Sequence, residues 1–361
     1  MSEPNPEKIP IPTFYETFSL RFGKSNSQVE EDVDVFSLDT AAFIEKYDAN
    51  TKDLNKRKSK IIAKRLHMES ICIYSKVDPW PWYKYVEYGL MSTFIMPIRA
   101  VISSLTVACC WSLMTPARLF ENLEKKYIEN PESEHYGKKV HRIPKPKWRR
   151  IMIDVLTRTA SKITLFMGLG FYNIKVKDLR KKDKNGKPIT SPLIISNHNS
   201  LVDVLGIIAY YDTTPSFLAM KWVDNTPFIG SIANAMQCVF VESNKRNNLT
   251  EEIKLRSKES LHYDLPPLTI FPEGTTTNGD YLIDFKYGAF YPHFPVQPIA
   301  IKYKYKYYNP SFVIDNIVQY ALKTAMQFRN DMEIIILPVI EPETEEEKTD
   351  VKVWTEKNYK V

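Results

Sequence analysis

Cysteine is scarce in this 361-residue chain, with four in all: Cys72, Cys109, Cys110 and Cys238. None are spaced as Cys-x-x-Cys, which argues against a structural zinc site, and a long chain with so few is no disulfide scaffold. No metal site is expected, and such cysteine usage suits a reducing compartment. There is no zinc-finger spacing and no RNP-type aromatic signature. The net charge of +6 therefore points to an anionic surface or an anionic small molecule before nucleic acid, which is not expected as a partner. The absence of Gly-x-Ser-x-Gly counts against a serine-hydrolase elbow. The start, Met1-Ser2-Glu3-Pro4, lacks the basic-then-apolar layout of a secretory signal. There is no internal repeat.

Hydrophobic residues make up 43% and charged residues 25% of the chain. That balance excludes global disorder and leaves membrane attachment open. Residues 1–80 carry no strong period and read as a partly disordered N-terminal region. Within it, the basic stretch 52–67 is either a solvated helix face or a segment lying against anionic lipid. Residues 81–120 read as a membrane-associated helical segment. The aromatics Trp80, Trp82, Tyr83, Tyr85 and Tyr88 lead into the apolar run Leu90–Met114, an interfacial signature. A spanning helix needs about 20 apolar residues, and Pro97 and Arg99 cut this run into two shorter pieces. An arginine at mid-bilayer is costly. The expectation is a helix pair dipping into one leaflet or a bent single span; a buried core hairpin is the remaining reading. Residues 121–150, polar and basic with Pro131, Pro144 and Pro146, read as a connector.

Residues 151–345 form the expected main domain. An amphipathic helix feeds a strand at 173–176. Short apolar strands follow at 193–196, 238–241, 268–271, 296–303 and 333–339, with helices at 204–211, 250–262 and 312–328. Apolar strands alternating with helices predict an α/β fold: a mixed sheet flanked by helices. Glu341–Lys348 reads as an acidic, solvated stretch, and 346–361 as a C-terminal tail.

Two constellations carry chemistry. His198 leaves a strand, and Asp203 lies five positions on, inside the first turn of the next helix. From there the carboxylate can reach back to one imidazole nitrogen, fix the tautomer and leave the other nitrogen as a general base. Ser200-Leu201-Val202-Asp203 is also a capping-box pattern, which would satisfy the helix start alone; the two readings are compatible. About seventy positions later, Phe271-Pro272-Glu273-Gly274-Thr275 follows an apolar strand. There Gly274 permits close approach of a ligand to the backbone, Thr275 can cap or bond a phosphate oxygen, and Glu273 can orient a cation or hydroxyl. A plain strand exit is the competing reading.

Asn197-His198-x4-Asp203 resembles the first box of the glycerolipid acyltransferases, and Phe271 to Thr275 resembles their FPEGT box. Both occur in the family's order. Phe285-Lys286-x-Gly288-Ala289-Phe290 and Val296-Gln297-Pro298-Ile299 resemble the stretches after the third box. The likeness covers roughly residues 88–350. It is strongest to the lysophosphatidylcholine and lysophosphatidylethanolamine acyltransferase branch, although no EF-hand loop follows. One position departs: the arginine that usually ends the second box is Ser243 here. In the family that arginine helps hold the acceptor's phosphate, so Lys245 or Arg246 would have to serve.

The resemblance implies transfer of an acyl chain from acyl-CoA, a co-substrate, to a lysophospholipid hydroxyl, with no other cofactor. His198 and Asp203 would be catalytic. Asn197, Glu273, Gly274, Thr275, Lys245 and Arg246 would hold the substrate, and Lys221, Lys286 and Lys302 would meet coenzyme A phosphates. Backbone N–H groups at the helix start would receive the oxyanion. The resemblance further implies membrane lipids as partners and the endoplasmic reticulum as the address, with a cytosol-facing site. Lysophosphatidic acid or glycerol 3-phosphate as acceptor is the near alternative. A catalytically silent lipid-binding protein of the same fold is the distant one.

Overall fold

The computed structural model describes residues 77–116, 147–241, 249–263, 265–313 and 316–360. Ser243, Lys245 and Arg246, the basic stretch 52–67 and most of the connector lie outside the described residues.

Seven strands among the described residues are β1 (Phe171–Asp178), β2 (Leu193–Ser196), β3 (Ser216–Met220), β4 (Val239–Val241), β5 (Leu268–Ile270), β6 (Val296–Lys304) and β7 (Asn330–Ile336). They join one sheet in the order β1-β7-β6-β2-β5-β3-β4. The strands from β6 across to β4 run parallel to one another; β7 is antiparallel to β6, and β1 parallel to β7. The mixed sheet expected from the strand and helix pattern is what forms. Every residue of β2 and β5 is buried, which is why these strands are unbroken apolar runs instead of alternating ones. The pleat splits their side chains between two apolar layers. Ile194 joins Ile207, Ile299 and Ile334 on one face. Leu193 and Ile195 join Leu268, Ile270 and Trp354 on the other. Each such aliphatic contributes roughly 2 kcal/mol on burial. Helix α3 (Val202–Tyr210) supplies Val202, Ile207 and Ile208 to the first layer.

The apolar run forms one helix, α1 (Trp82–Leu113), not a pair. Proline at position 97 removes an N–H from the helix interior. The chain absorbs this with a π-helical turn at Met91–Ile95 immediately before it, a common way of passing such a fault. Arg99 is buried and turned toward the α/β domain. Its guanidinium donates to the carbonyls of Ala325 (2.7 Å), Gln327 (2.6 Å) and Phe328 (3.2 Å) and to the Tyr172 hydroxyl (2.6 Å). These carbonyls lie at and just beyond the end of α7 (Ile317–Ala325), where a helix leaves acceptors unpaired and its dipole favours a cation. Further along, Cys110 and Met114 enter the first apolar layer. At the other end the Trp80 indole donates to the Tyr307 carbonyl at 2.8 Å. The helix is thus fastened at three points along its length. It lies against α2 (Lys147–Ile163) and the π-helical turn after it, against α5 (Ile229–Ala235) and against α7. Its other side, with Phe94, Ile98, Val101 and Leu105, is exposed.

One strand is added to those expected and one expectation is corrected. Ser216–Met220 is a strand, β3, although its short mixed run gives little sign of one. The acidic stretch does not trail into solvent. Thr344 and Glu347 form a full capping box that starts α8 (Glu345–Thr349), and α9 (Val351–Tyr359) buries Trp354 completely. The charges line the outer side of a docked element.

Candidate active site

β2 ends at Ser196, and the next residue decides how the chain leaves. The Asn197 side chain donates to the Ile301 carbonyl at 2.9 Å and accepts from the Ile301 N–H at 2.8 Å. It acts as one more rung between β2 and β6, and its amide is committed there, away from the imidazole. His198 then stands just past the edge of the sheet. Its N–H donates to Glu273 Oε1 at 2.8 Å, and its carbonyl accepts from the Thr277 N–H at 2.9 Å. The ring stacks on Phe271 at 3.9 Å between centroids and 15° between planes.

Asp203 is fully buried. Its Oδ2 lies 3.0 Å from His198 Nδ1 and accepts from the N–H groups of Asn199 (2.7 Å) and Ser200 (2.8 Å). The carboxylate takes the two backbone N–H groups just before α3, and the same oxygen orients the imidazole. The capping box is not completed, because the Ser200 hydroxyl accepts from the Val202 N–H and not from that of Asp203. A carboxylate can only accept, so Nδ1 carries the proton and Nε2 is left as the acceptor. The side chain of His198 is 17% exposed, enough for a reactant to reach it. The N–H groups of Asn199 and Ser200 are spent on Asp203, and that of Val202 on the Ser200 hydroxyl at 3.1 Å. The backbone donors expected to meet an oxyanion are therefore engaged here in holding the base.

Glu273 is fully buried and points inward. Oε2 accepts from the Ile283 N–H at 3.3 Å while Oε1 holds His198. Burial pushes its carboxyl up to about 7; the two N–H donors oppose the shift, and the Asp203 charge adds to it. In this structure Glu273 fixes the backbone of the base instead of facing the crevice. Gly274, at φ +70°, faces outward. The Lys286 ammonium lies 3.5 Å from the Gly274 carbonyl, and a side chain at 274 would collide with it. Thr275 is half-buried beside them. Gly274, Thr275 and Lys286 thus share one rim. Lys221 begins the turn after β3, paired with Asp224. Lys302, exposed on β6, lines a cavity of about 470 Å³ with Asn197, Asn199, Asp280, Tyr305 and Asn358. The three lysines are dispersed among separate places. Sequence reasoning missed Tyr303, whose hydroxyl donates to Asp203 Oδ1; nothing local ties it to a residue a hundred positions earlier.

The site is an imidazole backed by a buried carboxylate, at the carboxyl end of a central parallel strand and stapled to a Pro-Glu-Gly-Thr turn on the next strand. Residues 174–302 match the family model described as Acyltransferase. The chain is 34% identical over 214 residues to Lysophospholipid acyltransferase LPEAT2 of Arabidopsis thaliana, an alignment covering 58% of this chain and 37% of that one. It is 28% identical over 305 residues to Lysophospholipid acyltransferase LPEAT1 of the same plant, covering 77% and 75%. To human Lysophosphatidylcholine acyltransferase 1 it is 29% identical over 268 residues, covering 73% and 45%. Residues 174–302 thus carry the Acyltransferase family model, and the chain as a whole is similar to lysophospholipid and lysophosphatidylcholine acyltransferases. It spans less than half the length of two of these three curated relatives.

Proposed function

We propose that this chain is an acyl-CoA-dependent lysophospholipid acyltransferase that works at a membrane surface. The observation that carries this reading is the His198–Asp203 couple: Nδ1 is held at 3.0 Å by a buried carboxylate, which leaves Nε2 as the proton acceptor of a ring that is 17% exposed. Nε2 takes the proton of the acceptor's hydroxyl as the oxygen attacks the thioester carbonyl. The carbon–sulfur bond breaks when the tetrahedral intermediate collapses, and the imidazolium returns the proton to the departing thiolate. Asp203 supports the transient positive charge. No covalent acyl-enzyme is needed.

The exposed side of α1, flanked by Trp148, Ile151 and Val155 of α2, lies in one leaflet. Arg99 and Met114 are both docked on the α/β domain and sit roughly 22 Å apart along the helix. A helix fastened over that length lies beside the domain instead of carrying the chain across. The endoplasmic reticulum, with the site toward the cytosol, belongs to the same proposal on family resemblance.

The test is a panel of lysophospholipids, lysophosphatidic acid and glycerol 3-phosphate assayed with one radiolabelled acyl-CoA and membranes carrying the protein. Lysolipid-dependent thiol release is expected, and it should vanish in a folded His198→Ala protein. Acyl transfer only to the two phosphomonoesters would reassign the acceptor. No transfer to any acceptor would leave the silent lipid-binding alternative.

A further inference from the structure

Asp203 has a second oxygen, and the family motif does not account for what holds it. Oδ2 is saturated by His198 Nδ1 and two backbone N–H groups. Oδ1 faces β6, where the Tyr303 hydroxyl donates to it. The phenol does not stand alone. Tyr320, from α7, shares a hydrogen bond with the Ser200 hydroxyl and donates to the Pro310 carbonyl at 3.2 Å. Ser200, Asp203 and Tyr320 are all at most 3% exposed, while Tyr303 is half-buried and lines the cavity beside Lys302. Buried hydroxyl groups next to a carboxylate are costly unless every member is satisfied.

We propose that Tyr303 is a positioning residue for the acyl-transfer reaction: by donating to Asp203 Oδ1 it fixes the carboxylate plane and takes up part of its charge, setting how strongly Asp203 favours the imidazolium form of His198. This rests on the general-base reading of His198. The other titratable groups near the couple are Glu273, below the His198 N–H, and Tyr320 and Tyr308 on the α7 side. Burial and the Asp203 charge push the Tyr303 phenol well above its usual range, so it remains a donor throughout the working pH range.

The sign follows from the geometry. Without the phenol, the full carboxylate charge falls on the ring, and the protonated form persists to higher pH. With a stronger donor at 303, the opposite holds. Tyr303→Phe deletes one oxygen. Replacement of Tyr303 by 3-fluorotyrosine keeps the ring and strengthens the donor. Two readouts are taken across pH 5 to 9 (roughly the span where imidazole titrates). One is kcat with saturating acyl-CoA. The other is the rate at which diethyl pyrocarbonate modifies His198, followed by peptide mass spectrometry, which needs no turnover. In Tyr303→Phe, kcat should fall on the order of tenfold, the scale of a hydrogen bond to a charged group. The KM for acyl-CoA should change less than about twofold, and both pH midpoints should move up by roughly half a unit or more. The fluorinated protein should move them down. Unmoved modification midpoints in both proteins overturn the proposal, whatever happens to kcat, because a merely structural tyrosine would leave them in place. If the wild-type protein transfers no acyl group, the catalytic reading fails, while the modification midpoints still decide whether Tyr303 governs the couple.

Discussion

Arg99 separates two pictures of α1, and replacing it distinguishes them. In the structure its guanidinium spends four donors on the carbonyls of Ala325, Gln327 and Phe328 and on the Tyr172 hydroxyl, at 2.6 to 3.2 Å. Arg99→Leu keeps the helix apolar and removes every one of these bonds. Hydrogen bonds to a charged group contribute about 1.5–3 kcal/mol each, but four on one guanidinium share a single desolvation cost. The carbonyls at the end of α7 also recover some water. The expected loss is about 3–5 kcal/mol, or roughly 6–15 °C in Tm for a domain of this size. Arg99→Lys, a point charge without the planar fork, should lose part of that. The assay is thermal unfolding in micelles of an uncharged detergent, where no anionic headgroup exists to hold the arginine. Hydrogen exchange along Trp82–Leu113 should quicken in parallel. If Arg99→Leu melts within about 2 °C of wild type in micelles yet binds vesicles less well, the arginine serves the lipid surface, and the docking of α1 on the domain is wrong.

Other outcomes follow from the site and the C-terminal helices. Asp203→Asn should lower kcat by about two to four orders of magnitude, since the amide offers the imidazole the wrong tautomer; a loss under tenfold would remove Asp203 from the mechanism. Glu273, raised from 4.5 to about 7 by burial, contributes stability that is complete below pH 4.5 and is lost as pH rises through 7. The change is on the order of 3 kcal/mol. Urea midpoints should therefore fall between pH 5 and 8 in the wild type, with a flatter slope in Glu273→Gln; equal slopes would contradict the burial argument. Trp354→Ala should cost about 3–5 kcal/mol and lower the temperature of the whole unfolding transition. A separate early transition would mean that α9 is not part of the main core.

The sheet was largely legible because its central strands are apolar without interruption, and the two boxes sit where those strands end. β3 was not legible. Ser216-Phe217-Leu218-Ala219-Met220 has no β-branched residue and no alternation, and becomes a strand only because β5 and β4 flank it. Glu273 was legible as important but not in its direction: its inward setting comes from the N–H groups of His198 and Ile283, which lie 75 and 10 positions away. Charge alone makes Glu341–Lys348 read as a solvated stretch, whereas the informative signal in it is Thr344-x-x-Glu347, a helix start. Arg99 and Tyr303 lie beyond local reading altogether. Their partners are 226 and 100 positions away, and such contacts are set by packing, not by pattern.

The distance between the two boxes along the chain disappears once the topology is followed. From β2 the chain crosses to β3, comes back to β5 beside β2, and then passes to β6 on the other flank of β2. Connections that part on either side of one strand leave a crevice above its carboxyl end. The register then decides which residues meet there. Leu193 pairs with Leu268 and Ile195 with Ile270, so three residues beyond that last pair His198 arrives opposite Glu273, where its N–H finds Oε1 at 2.8 Å. A slip of β5 by one residue would bring Pro272 or Gly274 opposite the base instead. Neither offers an acceptor side chain, and the imidazole would lose the support that holds it over Asp203. The chemistry of the site is in this sense a property of strand pairing before it is a property of either box.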